Sequence, residues 1–383
     1  MRRTVFNDDH EAFRETVRAF LTKEVVPQYA QWEQLGHPPR EFYRRMGALG
    51  LLGIAVPEEF GGGGASGLRF SAVLSEETAR HGVTLGASRV HSDLVLPYLL
   101  EYATPEQKQR WLPGFASGDL MTAIAMTEPG TGSDLAGITT TARRDGDVYV
   151  LNGSKTFITG GALADLVLVV CRTAPRQDGD RRAGLSILVV EATSPGFSVG
   201  RKLEKIGLRT QDTAELFFDE VRVPAANLLG EEGEAFGYLS HNLVQERLAI
   251  VIGAVTAAAA AVEMTVEYVR QREVFGKPLS SFQNTKFVLA ECAAEVEAGQ
   301  VLMDRAIEEH ERGELSHADV AKAKLFCTEM EGRVIDKCLQ LHGGYGYMLE
   351  YPIARLYADA RVHRVYGGTS EVQKSIVGKS LGL

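Results

Sequence analysis

The chain has 383 residues, of which 45% are hydrophobic and 24% are charged. This length and composition allow two or three domains and exclude a disordered chain or a disulfide scaffold. The formal net charge of −9 argues against a nucleic-acid-binding surface, which would require clustered basic residues. The four cysteines are widely spaced and form no CxxC pair, so we expect no metal site and a reducing compartment.

The start of the chain, MRRTVFNDDHEAF, lacks the apolar segment that is typical of a signal peptide. The uncharged run 248–262 is shorter than the roughly 20 apolar residues that span a bilayer. We therefore predict a cytoplasmic protein without a membrane span, in which this run is a helix buried on nearly every side.

Residues 1–118 have a helical pattern, because Phe13, Val17, Phe20 and Val25 recur near helical spacing. The glycine-rich stretch 57–67 interrupts this region. A glycine run can cradle a phosphate, but neither a P-loop lysine nor a preceding strand accompanies it. A flexible surface loop is therefore the favoured interpretation.

Residues 119–228 have the pattern of strands. Asn152-Gly153 stands between two β-rich runs and predicts a hairpin turn. The segments ADLVLVVCRT, GLSILVVEA and AELFFDEVRVP predict further short strands. We expect a compact antiparallel β domain, since strands and helices do not alternate as they do in a Rossmann unit.

Residues 229–383 are predicted to be helical again. Ser316 followed by Asp319 is typical of a helix start. An apolar stripe then follows at steps of three and four, formed by Val320, Ala323, Cys327, Met330, Val334, Cys338 and Leu341. Long helices with apolar faces indicate a bundle.

Three polar or glycine-containing stretches could carry chemistry. MTEPGTGSD (126–134) is loop-like and would expose backbone N–H groups to a ligand, although composition alone favours an ordinary turn. QLHGGYGYM (340–348) ends a helix, and its glycines either admit a ligand or only terminate that helix. QREVFGKPLSSFQ (271–283) contains Arg272, which by itself would more often be a solvated charge.

Together, in this order and spacing, AMTEPGTGSD, NGSKTFIT, RQREVFGKPL, QLHGGYGYM and YGGTSEVQ resemble the acyl-CoA dehydrogenase family over essentially the whole chain. The C-terminal third looks most like the long-chain branch and less closely like isovaleryl-CoA dehydrogenase. The resemblance implies a mainly α fold with a helical N-terminal domain (1–118), a β-barrel or sandwich middle domain (119–228) and a C-terminal four-helix bundle (229–383).

The resemblance also implies a tightly bound FAD and an acyl thioester carried on CoA or on an acyl carrier protein. An electron-transfer flavoprotein would accept the electrons. Because family members bind FAD across a subunit boundary, the resemblance implies a homo-oligomer. Members of the family are usually tetramers.

Carried over residue by residue, the resemblance implies three groups of ligand contacts. The flavin would be held by Ile124, Met126, Thr127, Gly132, Ser133, Phe157, Ile158 and Thr159, with Thr159 near flavin N5. FAD of a neighbouring subunit would contact Arg272, Phe275, Gln283, Gln340, Leu341, His342, Gly343 and Gly344, with Thr369, Ser370 and Glu371 flanking it. Substrate contacts would come from Ser133, Val244, Gln245, Arg247, Gly367 and Gly368.

The catalytic base is where this sequence departs from most of the family. Most members carry a glutamate in a Y-E-G-T motif, whereas this chain reads Tyr366-Gly367-Gly368-Thr369. The long-chain and isovaleryl branches supply a glutamate from the helix that here reads QERLAI, which implies Glu246 as the base and Gly367 as a backbone N–H donor to the thioester carbonyl. The alternative is that Glu246 is a first-turn carboxylate favoured by the helix dipole, with Arg247 beside it for solubility.

The leading hypothesis is therefore an FAD-dependent acyl-CoA dehydrogenase that forms a trans-2-enoyl thioester. A flavin monooxygenase or oxidase on the same fold and a catalytically silent paralogue are the alternatives. We expect residues 92–99 and 236–246 to form the floor of the acyl cavity and so to set chain length.

Overall fold

The computed structural model describes residues 1–176 and 179–383. Its N-terminal region is helical, as predicted, and Val17, Phe20 and Val25 of the predicted apolar face are buried there. The α-helices of this region are α1 (Asp8–Phe20), α2 (Tyr29–Leu35), α3 (Arg40–Ala48), α4 (Arg69–Arg80), α5 (Leu96–Tyr102) and α6 (Pro105–Ser117). A π-helical segment, Val90–Val95, leads directly into α5.

Strands form the middle of the chain, again as predicted. They are β1 (Thr122–Ala125), β2 (Thr141–Asp145), β3 (Val148–Thr159), β4 (Leu166–Arg172), β5 (Leu185–Glu191), β6 (Phe197–Lys202), β7 (Thr213–Pro224) and β8 (Leu228–Leu229). Within the described residues they form one sheet in the order β6-β7-β3-β2-β4-β5-β8, with β1 beside β4. Most neighbours are antiparallel, but β4 runs parallel to both β1 and β2, so the sheet is mixed and not wholly antiparallel as expected.

The predicted hairpin at Asn152-Gly153 is wrong. β3 continues through this dipeptide and pairs with β7 along its whole length, with a register shift between Leu151 and Gly153. The Asn152 side chain bonds Glu220 on β7, and the Gly153 position has no room for a Cβ because Thr140 lies against it. The dipeptide therefore lies in a β-bulge. The hairpin turn lies instead between β2 and β3, at residues 146–147.

Helices return after the sheet, as predicted. They are α7 (Ala235–Gln271), α8 (Gln283–Glu311), α9 (His317–His342), α10 (Pro352–Ala360) and α11 (Ser370–Ser380). A short hairpin of β9 (Glu273–Val274) and β10 (Lys277–Pro278) joins α7 to α8. Helices α7, α8 and α9 pack on one another and α11 packs on α9. Ser316 caps α9, and its predicted apolar stripe is buried from Val320 to Cys338.

Helix α7 is the central helix of this region. Its length and apolar composition would suffice to cross a membrane, but 67% of its most apolar window is buried inside the protein, so it is a core helix. It begins at Ala235, three turns before Glu246. Glu246 is therefore not a first-turn carboxylate, and the helix dipole at an N-terminus does not explain its presence.

Candidate active site

A cavity of about 320 Å³ lies between the sheet and the C-terminal helices. Its sheet side is lined by six of the predicted flavin contacts, Ile124, Met126, Thr127, Phe157, Ile158 and Thr159. Its opposite side is lined by Glu246, Ile250 and Gly253 of α7 and by Tyr366 and Gly367. The fold thus brings together residues that are more than 200 positions apart in the sequence.

Phe157 is an exposed aromatic residue on the sheet side of this cavity. It has a positive φ of 60°, which costs free energy in a bulky residue, and 66% of its surface is exposed. A register shift of β3 between Lys155 and Ile158 accompanies this conformation. The bulge therefore presents a large apolar side chain to the cavity, as a surface for a planar ligand would require.

A buried ion pair fixes the neighbouring TEPG loop, and the sequence interpretation did not identify it. The Lys155 ammonium donates to Glu128 Oε1 and to the carbonyl oxygen of Met126, both at 2.9 Å. Burial opposes ionisation of Glu128, but hydrogen bonds from Thr139 and Thr140 together with Lys155 outweigh it and hold its pKa at about 2. The loop is therefore anchored to β3 by a charged pair whose two members both lie in the quoted motifs.

Glu246 is a buried carboxylate on the opposite side. Only 6% of its surface is exposed, and the Tyr98 hydroxyl donates to its Oε1 at 2.9 Å. Burial raises the pKa of Glu246 to about 7, although the Tyr98 hydrogen bond and the charge of Arg247 partly oppose the rise. Glu246 can therefore exist in both protonation states near neutral pH, as a general base requires.

The backbone conformation and the surroundings of position 367 favour glycine. Gly367 has a φ of +61°, and a Cβ at this position would collide with Ile250 Cδ1. The Arg247 Nε donates to the Gly367 carbonyl oxygen at 3.2 Å, and Gln373 Nε2 donates to the same oxygen. Arg247 thus binds the turn that precedes α11.

Lys324 of α9 also binds the turn that contains Gly367. Its ammonium donates to the carbonyl oxygens of His363 and Gly368, at 3.0 and 2.8 Å. Burial, helped by the charge of Arg247, lowers the pKa of Lys324 to about 8. No feature of the sequence marked Lys324, because its role arises only when α9 packs under residues 363–368.

Six of the second predicted group of FAD contacts, Arg272 and residues 340–344, line a different cavity, of about 550 Å³. Arg272 lies there, with its guanidinium 5.5 Å from the Tyr345 ring centre, beside residues 340–344. Phe275, in the β9–β10 turn, is 95% exposed, and Gln283 is exposed at the start of α8. Within one protomer, most residues of the two predicted groups therefore line separate cavities.

The remaining predicted residues lie outside the lining of these two cavities. Gly132, Ser133 and Glu371 are exposed, and Val244 packs against the helical core. Gln245 donates to the Asp93 carbonyl oxygen. Thr369 caps α11, Ser370 donates to Glu329, and the Gly368 carbonyl accepts from Lys324.

These surfaces fit a large aromatic cofactor. Phe157 and Phe275 are large apolar side chains that the fold leaves exposed. A Cβ built on Gly343 or Gly344 would meet no atom within 4 Å, so the backbone there is open to a ligand. Exposed aromatic rings and accessible backbone are what an extended cofactor with a planar ring needs.

Comparison with known proteins identifies the family. Models of the acyl-CoA dehydrogenase N-terminal, middle and C-terminal domains match residues 7–119, 123–221 and 233–382. The mitochondrial long-chain specific acyl-CoA dehydrogenase of Sus scrofa is 45% identical over 379 residues, which cover 99% of this chain and 88% of that protein.

Solved structures agree in both fold and cofactor. An acyl-CoA dehydrogenase from Geobacillus kaustophilus is 50% identical, covers 99% of each chain and superposes with a TM-score of 0.96. A glutaryl-CoA dehydrogenase from Mycobacterium smegmatis in complex with FADH2 is 32% identical, with a TM-score of 0.89 over 98% of this chain and 95% of that one. The family uses FAD, and the residues described above fit it. The chain belongs to the acyl-CoA dehydrogenase family and is an FAD-dependent oxidoreductase that acts on acyl-CoA.

Proposed function

We propose that Glu246 accepts the α proton when an acyl-CoA, or an acyl-carrier-protein thioester, is converted to the trans-2-enoyl thioester. The supporting observation is that Glu246 is buried at the cavity opposite Thr159 and accepts a hydrogen bond from a neutral donor, Tyr98. Two other carboxylates, Glu331 and Asp359, line the same cavity. Glu331 bonds the His363 ring, and Asp359 accepts from the Leu208 N–H.

The proposed chemistry follows from the acidity of the substrate. The α C–H of a thioester is a very weak acid, so a placed base is needed, and such a base contributes about 10²–10⁴-fold to the rate. A carboxylate with a pKa of about 7 is a stronger base than a glutamate in water. When bound, FAD supplies the oxidising equivalents by accepting the β hydride at N5.

The thioester carbonyl must be polarised while enolate charge develops on its oxygen. The Gly367 N–H can donate to this oxygen, since the described residues provide it with no other acceptor. One such backbone donor contributes about 3–4 kcal/mol to the stabilisation of an oxyanion. The turn that holds this N–H is fixed by Arg247 and Lys324, so the donor is oriented before the substrate binds.

An electron-transfer flavoprotein is the electron acceptor that we propose. The cavity lined by Arg272 and residues 340–344 would contact the FAD of a neighbouring subunit. We therefore also propose a homo-oligomer, and specifically a tetramer. We also propose that the enzyme is located in the cytoplasm. A flavin monooxygenase or oxidase would differ from this enzyme in the reactivity of its reduced flavin with oxygen.

Anaerobic bleaching of the flavin by acyl-CoA tests the proposed reaction. Fast bleaching without oxygen is expected, and a flavin that stays oxidised with every thioester would refute it. For the base, Glu331→Gln is the matched control for Glu246→Gln, because both residues are buried carboxylates that line the same cavity. We expect the rate of flavin bleaching to fall more in Glu246→Gln than in Glu331→Gln. A larger fall in Glu331→Gln would identify Glu331 as the base.

A further inference from the structure

A second apolar cavity, of about 230 Å³, lies beside the first. It is enclosed by α4, by the segment Val90–Val95 with α5, and by the glycine-rich loop that ends at Leu68. Leu52, Leu96 and Leu100 are among its apolar lining residues. Arg89 and Leu74 line both cavities, so the Arg89 side chain stands at their common wall.

The Arg89 side chain is held firmly in that wall. Its Nε donates to Asp93 Oδ2 at 3.2 Å, and its Nη2 donates to the Ala249 carbonyl oxygen at 2.8 Å. Asp93 also accepts from the Ser71 hydroxyl at 2.8 Å, and its carbonyl oxygen accepts from Gln245. A charged pair with these additional hydrogen bonds therefore separates two apolar spaces.

The distance between Arg89 and the proposed base limits the length of acyl chain that the first cavity can hold. Its Nη1 lies 3.0 Å from the point where a Cβ on Gly253 would stand. Gly253 follows Glu246 by two turns on the same face of α7, which corresponds to about 10 Å along the helix axis. An acyl chain that follows this face therefore meets the guanidinium about two helical turns beyond the base.

We infer that the Arg89–Asp93 pair ends the acyl-binding cavity, so that the enzyme prefers straight acyl chains of short to medium length. This inference rests on the proposed function. A longer chain could enter the second cavity only by displacing Arg89 from Asp93 and from Ala249, which would leave the buried Asp93 carboxylate without its charged partner. Chains that stop before Arg89 avoid that loss.

The first test adds bulk to the second cavity while leaving the wall intact. Leu100→Trp fills space there from a half-buried position on α5. Rates of anaerobic flavin reduction are measured with butyryl-, octanoyl- and palmitoyl-CoA. We expect the relative rates of Leu100→Trp to match those of the wild type. A selective loss with palmitoyl-CoA would mean that long chains already reach the second cavity, and would overturn the inference.

The second test opens the wall. Arg89→Ala with Asp93→Asn removes both charges together, so that no carboxylate is left buried without its partner. We expect the ratio of the palmitoyl-CoA rate to the butyryl-CoA rate to rise by at least about tenfold, a usual size for discrimination by an apolar pocket. Adding Leu100→Trp to this double variant should remove the gain. An unchanged ratio, or a gain that survives Leu100→Trp, would contradict the inference.

These measurements separate the inference from the proposed function. If no thioester reduces the wild-type flavin, the proposed reaction fails and the chain-length question does not arise. If the wild type is reduced fastest by palmitoyl-CoA, the reaction stands and the inferred wall is wrong. Should the double variant not fold with FAD bound, the Leu100→Trp comparison alone decides.

Discussion

Replacement of Glu246 by glutamine is expected to lower activity and raise stability at the same time. Glutamine keeps the shape of the side chain and can still accept the hydrogen bond from Tyr98. It removes both the proton acceptor and a carboxylate whose charge is buried. A merely structural glutamate would not produce these two opposite effects together.

The size of the stability effect follows from the pKa. Glu246 has a pKa of about 7 in the fold, against 4.5 for an unperturbed glutamate. At about 1.36 kcal/mol for each unit of pKa, the ionised side chain destabilises the fold by about 3 kcal/mol. Because the folded pKa is raised, this penalty is absent below pH 4.5, grows between pH 4.5 and 7, and is complete above pH 7.

The assay compares wild type and Glu246→Gln at about pH 4.5 and about pH 8.5 by chemical denaturation with FAD bound. The difference in the free energy of unfolding should increase by about 3 kcal/mol in favour of the variant between the two pH values. In the same samples, flavin reduction by acyl-CoA should fall by at least about 10²-fold.

Two results would refute this reasoning. A stability difference that does not change with pH would show that Glu246 is not a buried group with a raised pKa. Wild-type rates of flavin reduction in Glu246→Gln would show that another group takes the α proton.

Other substitutions test neighbouring parts of the site. Tyr98→Phe removes a hydrogen bond that lowers the pKa of Glu246, so the pH profile of flavin reduction should shift to higher pH, and an unchanged profile would contradict this. Moving the carboxylate by Glu246→Gly with Gly367→Glu should restore little flavin reduction, because a side chain at 367 collides with Ile250 and the φ is positive. Adding Ile250→Ala should improve the restored rate, and no improvement would argue against the steric explanation. Arg272→Ala should weaken FAD retention and oligomer assembly together, as measured by flavin absorbance and sedimentation, and a monomer that holds FAD normally would exclude a shared site.

The prediction from sequence failed where a local signal competed with long-range pairing. Asn152-Gly153 is a strong turn signal by itself, but pairing of β3 with β7 continues past it and uses the dipeptide as a bulge. The tertiary contacts therefore decided the local structure at this dipeptide.

The sequence by itself determined the order of helical, β and helical regions, the apolar faces that form the core, and Glu246 as the candidate base. The regions and the apolar faces follow from local periodicity, whereas Glu246 was identified through the resemblance of the motifs to the acyl-CoA dehydrogenase family. Only the tertiary structure decided what surrounds Glu246, since its hydrogen-bond donor Tyr98 is 148 residues away. It likewise decided the support of the Gly367 turn by Lys324 and the Arg89–Asp93 wall between two cavities, because burial and charge pairing between distant segments arise only when those segments pack together.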